Sequence, residues 1–373
     1  MSDTNLHPVH DTSAAAPEPG IALCLSGGGY RAMLFHAGCL WRINELGLLS
    51  KLNRISSVSG GSITAAVLGM NWGSASAQFV QSVIAPIRKM AATTVDEGAI
   101  LGGIFLPGSI SDHVAEKYEK VLFGNKTLQD LPDQLRFVIN ATNVQSGVLM
   151  RFSKPYMRDY RVGQILNPKL PLSRAVAASS AFPPVLSPCE IKVSDYGLRF
   201  EPAADGEDLH IEPYTTDLVL TDGGVYDNLG LETAWKRYDT ILVSDGGGHL
   251  AAEGKPAHDW ARHSYRVLNL INSQVRSLRV RQLIALFKAQ ERKGCYWGIG
   301  QSATTYPAPG ALPCPPQKTA ELAATPTRLK ALDDTLQERL INWGYAVCDA
   351  SLRSWLDRSL PAPADFPYPS SGV

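Results

Sequence analysis

One serine, two aspartates and a run of three glycines carry the chemistry that these residue types allow. Ser59 stands in the turn Ser57-Val58-Ser59-Gly60-Gly61. A serine hydroxyl is a poor nucleophile in water. It attacks a carbonyl when a turn exposes it, a base takes its proton and donors hold the resulting oxyanion. The G-x-S-x-G elbow provides exposure, because small residues flank a strained strand-to-helix turn. Here Ser57 replaces the first glycine and Gly61 keeps the second. The same turn also allows Ser59 merely to cap the next helix.

Gly27-Gly28-Gly29 lies one crossover upstream, after the apolar run Ile21–Leu25. Glycines let backbone N–H groups approach a ligand closely, and a helix opened by them favours negative charge at its start. An oxyanion hole requires that chemistry. Arg31 follows and is placed to hold a phosphate or orient the loop, a structural arginine being the plain alternative. The segment Gly27–Ala32 also fits the dinucleotide pattern G-x-G-x-x-A. That site needs an acidic residue at the end of the second strand, where this chain has Ser59; Glu45 lies inside the preceding helix. A P-loop needs G-K-[ST], which is missing.

For the base, a Ser–acid–His order would draw on His249, His258 or His263 after Asp222. The short separation of the glycine loop from Ser59 suits a compact Ser–Asp dyad better. A carboxylate is a weak base, with a pKa of about 4 in water, and burial raises it. Asp222 and Asp245 each head a glycine turn after an apolar run. Local chemistry favours Asp222 and leaves Asp245 open.

These groups need a scaffold. Ile21–Leu25, Ile55–Val58, Phe137–Asn140, Asp217–Thr221 and Thr240–Ser244 read as short buried strands bounded by turn residues. Helical spacing follows the first two, which predicts a parallel α/β unit with a right-handed crossover. In open parallel sheets, functional groups gather at the carboxyl ends of strands. Leu329, Leu332, Leu336, Leu340, Trp343 and Val347 predict a helix over Arg328–Val347. Segment 97–110 mixes Gly, Pro and apolar residues and reads as an apolar lid, an interfacial loop or a packed connection. The proline-rich segment 306–316 reads as a loop. The expected organisation is a flexible leader over 1–19, one domain over 20–358 with a helical part from about 260, and a mobile tail over 359–373.

Bulk properties narrow the function. The chain has 373 residues, 45% hydrophobic, with 35 basic and 35 acidic side chains. That length builds a full core, and zero net charge argues against a nucleic-acid partner. No apolar run is long enough for a membrane span, and the polar leader lacks a secretory signal pattern. The six cysteines form no C-x-x-C pair, so reduced thiols are expected rather than disulfides or a zinc site. These features favour a cytosolic protein; an effector exported without a cleaved signal would look the same.

The chain resembles the patatin-like phospholipases. The resemblance rests on Ser26–Ala32, which is also similar to the glycine loop of cytosolic phospholipases, on the Ser59 turn, on Ala178-Ser179-Ser180-Ala181-Phe182-Pro183-Pro184, and on Asp222-Gly223-Gly224-Val225-Tyr226-Asp227-Asn228. It spans roughly residues 20–250. It implies a three-layer α/β/α fold with a mostly parallel central sheet, and a Ser59–Asp222 dyad. It further implies an oxyanion held at Gly27, Gly28 and Gly29, and neither metal nor cofactor in catalysis. Ser57 departs from it, where many members have glycine.

The resemblance implies a lipid acyl hydrolase of phospholipase A or lysophospholipase type, acting on phospholipid or other acyl lipids. A soluble carboxylesterase or acyltransferase with the same dyad, and a non-catalytic lipid-binding module, remain as alternatives. Arg262–Lys293 reads as a helix with eight basic residues and one acidic, and an apolar stripe of Leu268, Ile271, Val275 and Leu278. Such a helix sits peripherally on a membrane or, more commonly, packs its stripe on the core.

Overall fold

The computed structural model describes residues 16–95, 110–203 and 208–373. The expected lid at 97–110 lies outside them apart from Ile110.

Ten strands share one sheet: β1 (Glu18–Leu25), β2 (Leu52–Val58), β3 (Arg136–Asn143), β4 (Val148–Phe152), β5 (Tyr156–Asp159), β6 (Gly163–Leu166), β7 (Cys189–Lys192), β8 (Asp217–Asp222), β9 (Tyr238–Asp245) and β10 (Lys293–Gly298). The centre runs β10-β9-β1-β2-β3, parallel throughout. Strands β4 to β6 extend it antiparallel, and the β7–β8 pair attaches to β3.

Both faces of the parallel centre are buried, as its apolar runs require. Successive side chains of a strand point to opposite faces. Leu23 and Leu25 of β1 therefore enter one core, and Ala22 and Cys24 the other. Helices α1 (Gly29–Glu45) and α2 (Gly60–Met70) belong to the larger core. The far face is covered by Leu229, Leu231 and Ala234, and by the C-terminal part of a long helix, Trp260–Lys288. Counting α3 (Leu172–Ser179) in between, that helix is α4; α5 (Pro316–Ala323) and α6 (Asp334–Ser351) follow. This is the expected three-layer arrangement. Phe35 of α1 is fully buried, and its truncation to alanine is expected to cost about 3–5 kcal/mol. All six cysteines are buried free thiols.

Four expectations need correction. The leader ends earlier: Glu18 already belongs to β1, and its N–H donates to Arg237 O at 2.6 Å. The tail is packed, because Asn342 Nδ2 donates to Tyr368 O and Gly372 O at 2.8 and 2.7 Å, and Phe366 and Val373 are buried. The helix expected from Arg328 starts at Asp334, where the Asp333 carboxylate accepts from Leu336 N–H as an N-cap. Finally, β8 runs antiparallel to β3, so Asp222 does not end a parallel strand.

That last point sets the geometry of the site. β3 pairs with β2 up to Asn140 opposite Val58, and with β8 from Ala141 opposite Asp222. β4 occupies the other side of β3 at Ala141. β2 and β8 therefore approach along one edge of β3 from opposite directions. Their C-terminal ends meet one register step apart.

Candidate active site

Ser59 follows directly on β2 and precedes α2. Its backbone has φ 52° and ψ −120°, a region that L-residues rarely adopt. It occupies the N-cap position, yet its side chain makes no capping hydrogen bond. The capping alternative is thereby removed. The backbone is held firmly: Ser59 N–H donates to Ser179 Oγ at 2.9 Å, and Ser59 O accepts from Ser62 N–H at 2.8 Å. Ser57 is buried beneath the turn, and its Oγ accepts from Ser62 Oγ at 3.1 Å. A serine is thus accommodated where the resemblance expects glycine. A Cβ on Gly61 would lie 2.5 Å from Leu25 O, so only glycine lets α2 start against the end of β1.

Asp222 is 2% exposed. Its Oδ1 accepts from Gly224 N–H at 2.7 Å, whereas its buried Oδ2 has no well-formed hydrogen bond. Burial raises the carboxyl to a pKa of about 7, opposed by the Gly224 N–H and by the neighbouring Ser59 hydroxyl. Ser59 thus lies beside the carboxylate without being aligned on Oδ2. Catalytic hydrogen bonds are often long before substrate binds. The turn is anchored through Asp222 N–H to Ala181 O at 3.0 Å and Thr142 Oγ1 to Asp222 O at 2.9 Å.

Gly28 and Gly29 have φ of +145° and +61° at the start of α1. A Cβ on Gly28 would sit 2.8 Å from Gly246 O, and one on Gly29 would sit 2.6 Å from Arg328 O. Among the described residues, no group accepts from the N–H of Gly28 or Gly29. The N–H of Gly27 is different: it donates to Asn228 O at 3.1 Å. Gly27 therefore contributes closeness, since a Cβ there would lie 2.4 Å from Asn228 Oδ1 and 3.2 Å from Ser59 Cβ. The expectation of three oxyanion donors narrows to two.

Arg31 is almost fully buried. Its Nε donates to Gly246 O at 3.1 Å, Nη1 to Thr325 O, and Nη2 to Thr327 Oγ1 at 2.9 Å. Burial lowers its pKa to about 10, assisted by nearby Arg276. Of its two expected roles, these bonds perform the loop-orienting one. They fasten a strap, Thr325–Leu329, across the glycine loop, and Tyr30 N–H donates to Arg328 O at 3.0 Å. Leu329 carries the apolar spacing of a helix but serves this strap, which is why the predicted helix starts late.

Asp245 is also buried, but it is fully engaged. Its Oδ2 accepts from Arg276 Nε and Tyr296 Oη, both at 2.7 Å, and its Oδ1 from Gly247 N–H at 3.0 Å. Burial pushes its pKa up, but the Arg276 charge and these hydrogen bonds outweigh it and hold the carboxyl below its ordinary value. Of the candidate histidines, His249 lines the same cavity as Ser59, and His263 bonds to Ala257 O at 3.3 Å. Among the described residues, no histidine hydrogen-bonds to Ser59 or Asp222.

Ser179 joins the two halves of the site. It accepts from Ser59 N–H, donates to Asn140 O at 2.7 Å, and its own carbonyl accepts from Gly223 N–H at 3.3 Å. The block Ala178–Pro184 marks Ser179 in the sequence without giving it a role. Asn228 Oδ1 packs between Gly27 and Gly224, and the Asp222–Asn228 segment is the only sequence signal for it.

Ser59, Asp222 and the glycine loop open on a cavity of about 1070 Å³. Phe182, Val185, Leu186, Leu250, Ile299 and Leu329 supply apolar walls, and Asn269, Asn272 and Arg276 of α4 supply polar ones. The stripe expected to pack α4 on the core divides: Leu268 and Val275 are half-buried, Ile271 and Leu278 are about half exposed, and Leu283 alone is fully buried on this helix.

A family model for the patatin-like phospholipases matches residues 23–235. The chain belongs to that family. The structure is similar to human GIVD cytosolic phospholipase A2, at a TM-score of 0.55 and 15% identity, covering 88% of this chain and 58% of that one. It is similar also to the same enzyme in complex with methyl gamma-linolenyl fluorophosphonate, at a TM-score of 0.51 and 16% identity over 88% of this chain and 57% of that one. The chain thus spans under two thirds of the length of these proteins. No curated protein sequence matches it.

Proposed function

We propose that this protein is a lipid acyl hydrolase of phospholipase A or lysophospholipase type, with Ser59 as nucleophile and Asp222 as base. One observation carries the reading. A strained, uncapped serine faces a buried carboxylate with an unpartnered oxygen and a pKa of about 7. A general base works best with a pKa near the operating pH.

In this mechanism Ser59 Oγ attacks the ester carbonyl carbon and its proton passes to Asp222 Oδ2. The N–H groups of Gly28 and Gly29 hold the tetrahedral oxyanion, aided by the start of α1. The intermediate collapses, the alcohol leaves with the proton from Asp222, and an acyl-Ser59 ester remains. Asp222 then takes a proton from a water as it attacks the acyl carbon, and the second tetrahedral intermediate collapses with that proton returned to Ser59 Oγ and the fatty acid released. The apolar walls suit an acyl chain. That supports a lipid over a short soluble ester, and the volume leaves room for a head group beside α4.

A long-chain fluorophosphonate tests this reading, because it phosphonylates an activated serine. Labelling should fall on Ser59, and Ser59→Ala should lose labelling together with phospholipid hydrolysis. Full hydrolysis by Ser59→Ala would refute the assignment.

A further inference from the structure

Twelve large apolar side chains are exposed among the described residues, and six of them lie on α4: Trp260, Tyr265, Val267, Leu270, Ile271 and Leu278. A helix on a soluble protein normally turns its apolar stripe inward. α4 does the reverse over its first two thirds. Asn269, Asn272, Ser273 and Arg276 face the cavity that contains Ser59. Trp260, Val267, Ile271 and Leu278, at steps of seven, four and seven, form a stripe on the outside. At 1.5 Å per residue the stripe runs about 27 Å.

We infer that this outer face of α4 is the surface by which the protein lies on a phospholipid bilayer, with the cavity mouth beside it. Three observations favour a lipid surface over a second copy of the chain. First, the charge is one-sided: Trp260–Gln290 contains no acidic residue. Arg262 and Arg266 are paired with Asp259 and Glu253, and Arg276 and Arg279 with Asp245 and with Asp227 and Glu232, while Arg281 and Lys288 have no ion-pair partner among the described residues. They are left to meet anionic head groups. Second, Trp260, 84% exposed at the start of the helix, is the residue type that settles at a membrane–water boundary. Third, the helix is continuous with the cavity, so one element carries both the interface and a wall of the site. No described helix is long and apolar enough to span a bilayer, which leaves α4 lying in the interface plane. The inference rests on the lipid-hydrolase reading for its substrate, but its test does not.

Flotation with vesicles reads it directly, using the full chain carrying Ser59→Ala so that the vesicles stay intact. The parent should float with phosphatidylcholine–phosphatidylserine vesicles. Ile271→Asp/Leu278→Asp should lose roughly tenfold or more in partitioning, and the milder Ile271→Ser/Leu278→Ser should lose less. With Ser59 restored, the aspartate pair should hydrolyse a soluble short-chain ester at the rate of the unsubstituted chain and fail on vesicles. Arg281→Glu/Lys288→Glu should weaken binding only when phosphatidylserine is present. Unchanged flotation of both Ile271/Leu278 variants would overturn the inference, as would a dimeric parent that these variants split without any loss of flotation. Absence of flotation by the parent would overturn it too. Flotation of the Ser59→Ala chain combined with no ester hydrolysis once Ser59 is restored would sink the hydrolase reading and leave the helix standing.

Discussion

Two strands of this molecule end in Asp-Gly-Gly, and the two buried aspartates have opposite electrostatics. Asp245 ends a central parallel strand and meets Arg276 from α4 and Tyr296 from β10. It stays ionised and holds its turn in place. Asp222 ends an antiparallel strand driven against the end of β2. Its surroundings supply one backbone donor and the Ser59 hydroxyl but no cation. A buried carboxylate without a cation is driven toward its protonated form. The difference lies wholly in which distant residues the fold delivers to each turn, and it separates the proposed base from a structural tie.

Exchanging each aspartate for asparagine breaks this comparison at its strongest point. Asp222→Asn should lower kcat about 10³–10⁴-fold, in the range seen when a catalytic triad loses a member. Asp245→Asn should leave kcat within about tenfold in the fraction that stays folded. Phospholipid hydrolysis by the purified variants measures both; equal losses would mean that Asp245 shares the chemistry.

Stability should move the other way. Asp245→Asn strands the Arg276 charge and should cost about 3–5 kcal/mol in urea unfolding at pH 8. Asp222→Asn should stabilise the protein there by up to about 4 kcal/mol. The signs follow from the pKa directions. Asp222, raised in the fold, favours the native state below its ordinary pKa, and that advantage is lost as pH rises through about 7. Asp245, lowered in the fold, stabilises above its ordinary pKa, and that contribution is lost as pH falls through its folded value. A stability profile taken from pH 8 down to pH 4 should therefore converge with the parent for Asp222→Asn, whereas the Asp245→Asn deficit should persist to pH 4 and shrink only below the ordinary carboxylate value.

The rate profile sharpens the same contrast. kcat/KM should rise with pH through a midpoint near 7, where Asp222 ionises, falling about tenfold per unit on the acid side. A midpoint near the ordinary carboxylate value would contradict the buried base. The smallest expected effect is at the hinge between the two strand ends. Ser179→Ala removes the acceptor for Ser59 N–H and should lower kcat roughly 10–100-fold with little change in KM. Fluorophosphonate labelling would still fall on Ser59, only more slowly.

Much of this site was legible in the chain. Ser59, Asp222 and the glycine run stand in turns whose residue types signal their chemistry, and the apolar runs of the central strands alternate faces as burial on both sides requires. Strands β4–β7 and β10 were not legible, because strands of four to six residues offer too few positions to establish a period. Arg31 offered two roles, and only the carbonyls of Gly246 and Thr325 decided between them. The apolar residues of α4 carried a helical period, but a period does not say which way a stripe points.

By itself the sequence determined the candidate reactive groups and the turns that hold them, since backbone freedom and side-chain chemistry are local properties. It also specified the glycines at 28 and 29, whose positive φ no other residue adopts cheaply. Tertiary structure alone decided that β8 runs against β3, so that Asp222 reaches Ser59. It decided that Gly27 spends its N–H on Asn228, and that Arg276 neutralises Asp245 while Asp222 stays without a cation. Burial and long-range charge set a carboxylate's pKa, and both come from residues far away in the chain.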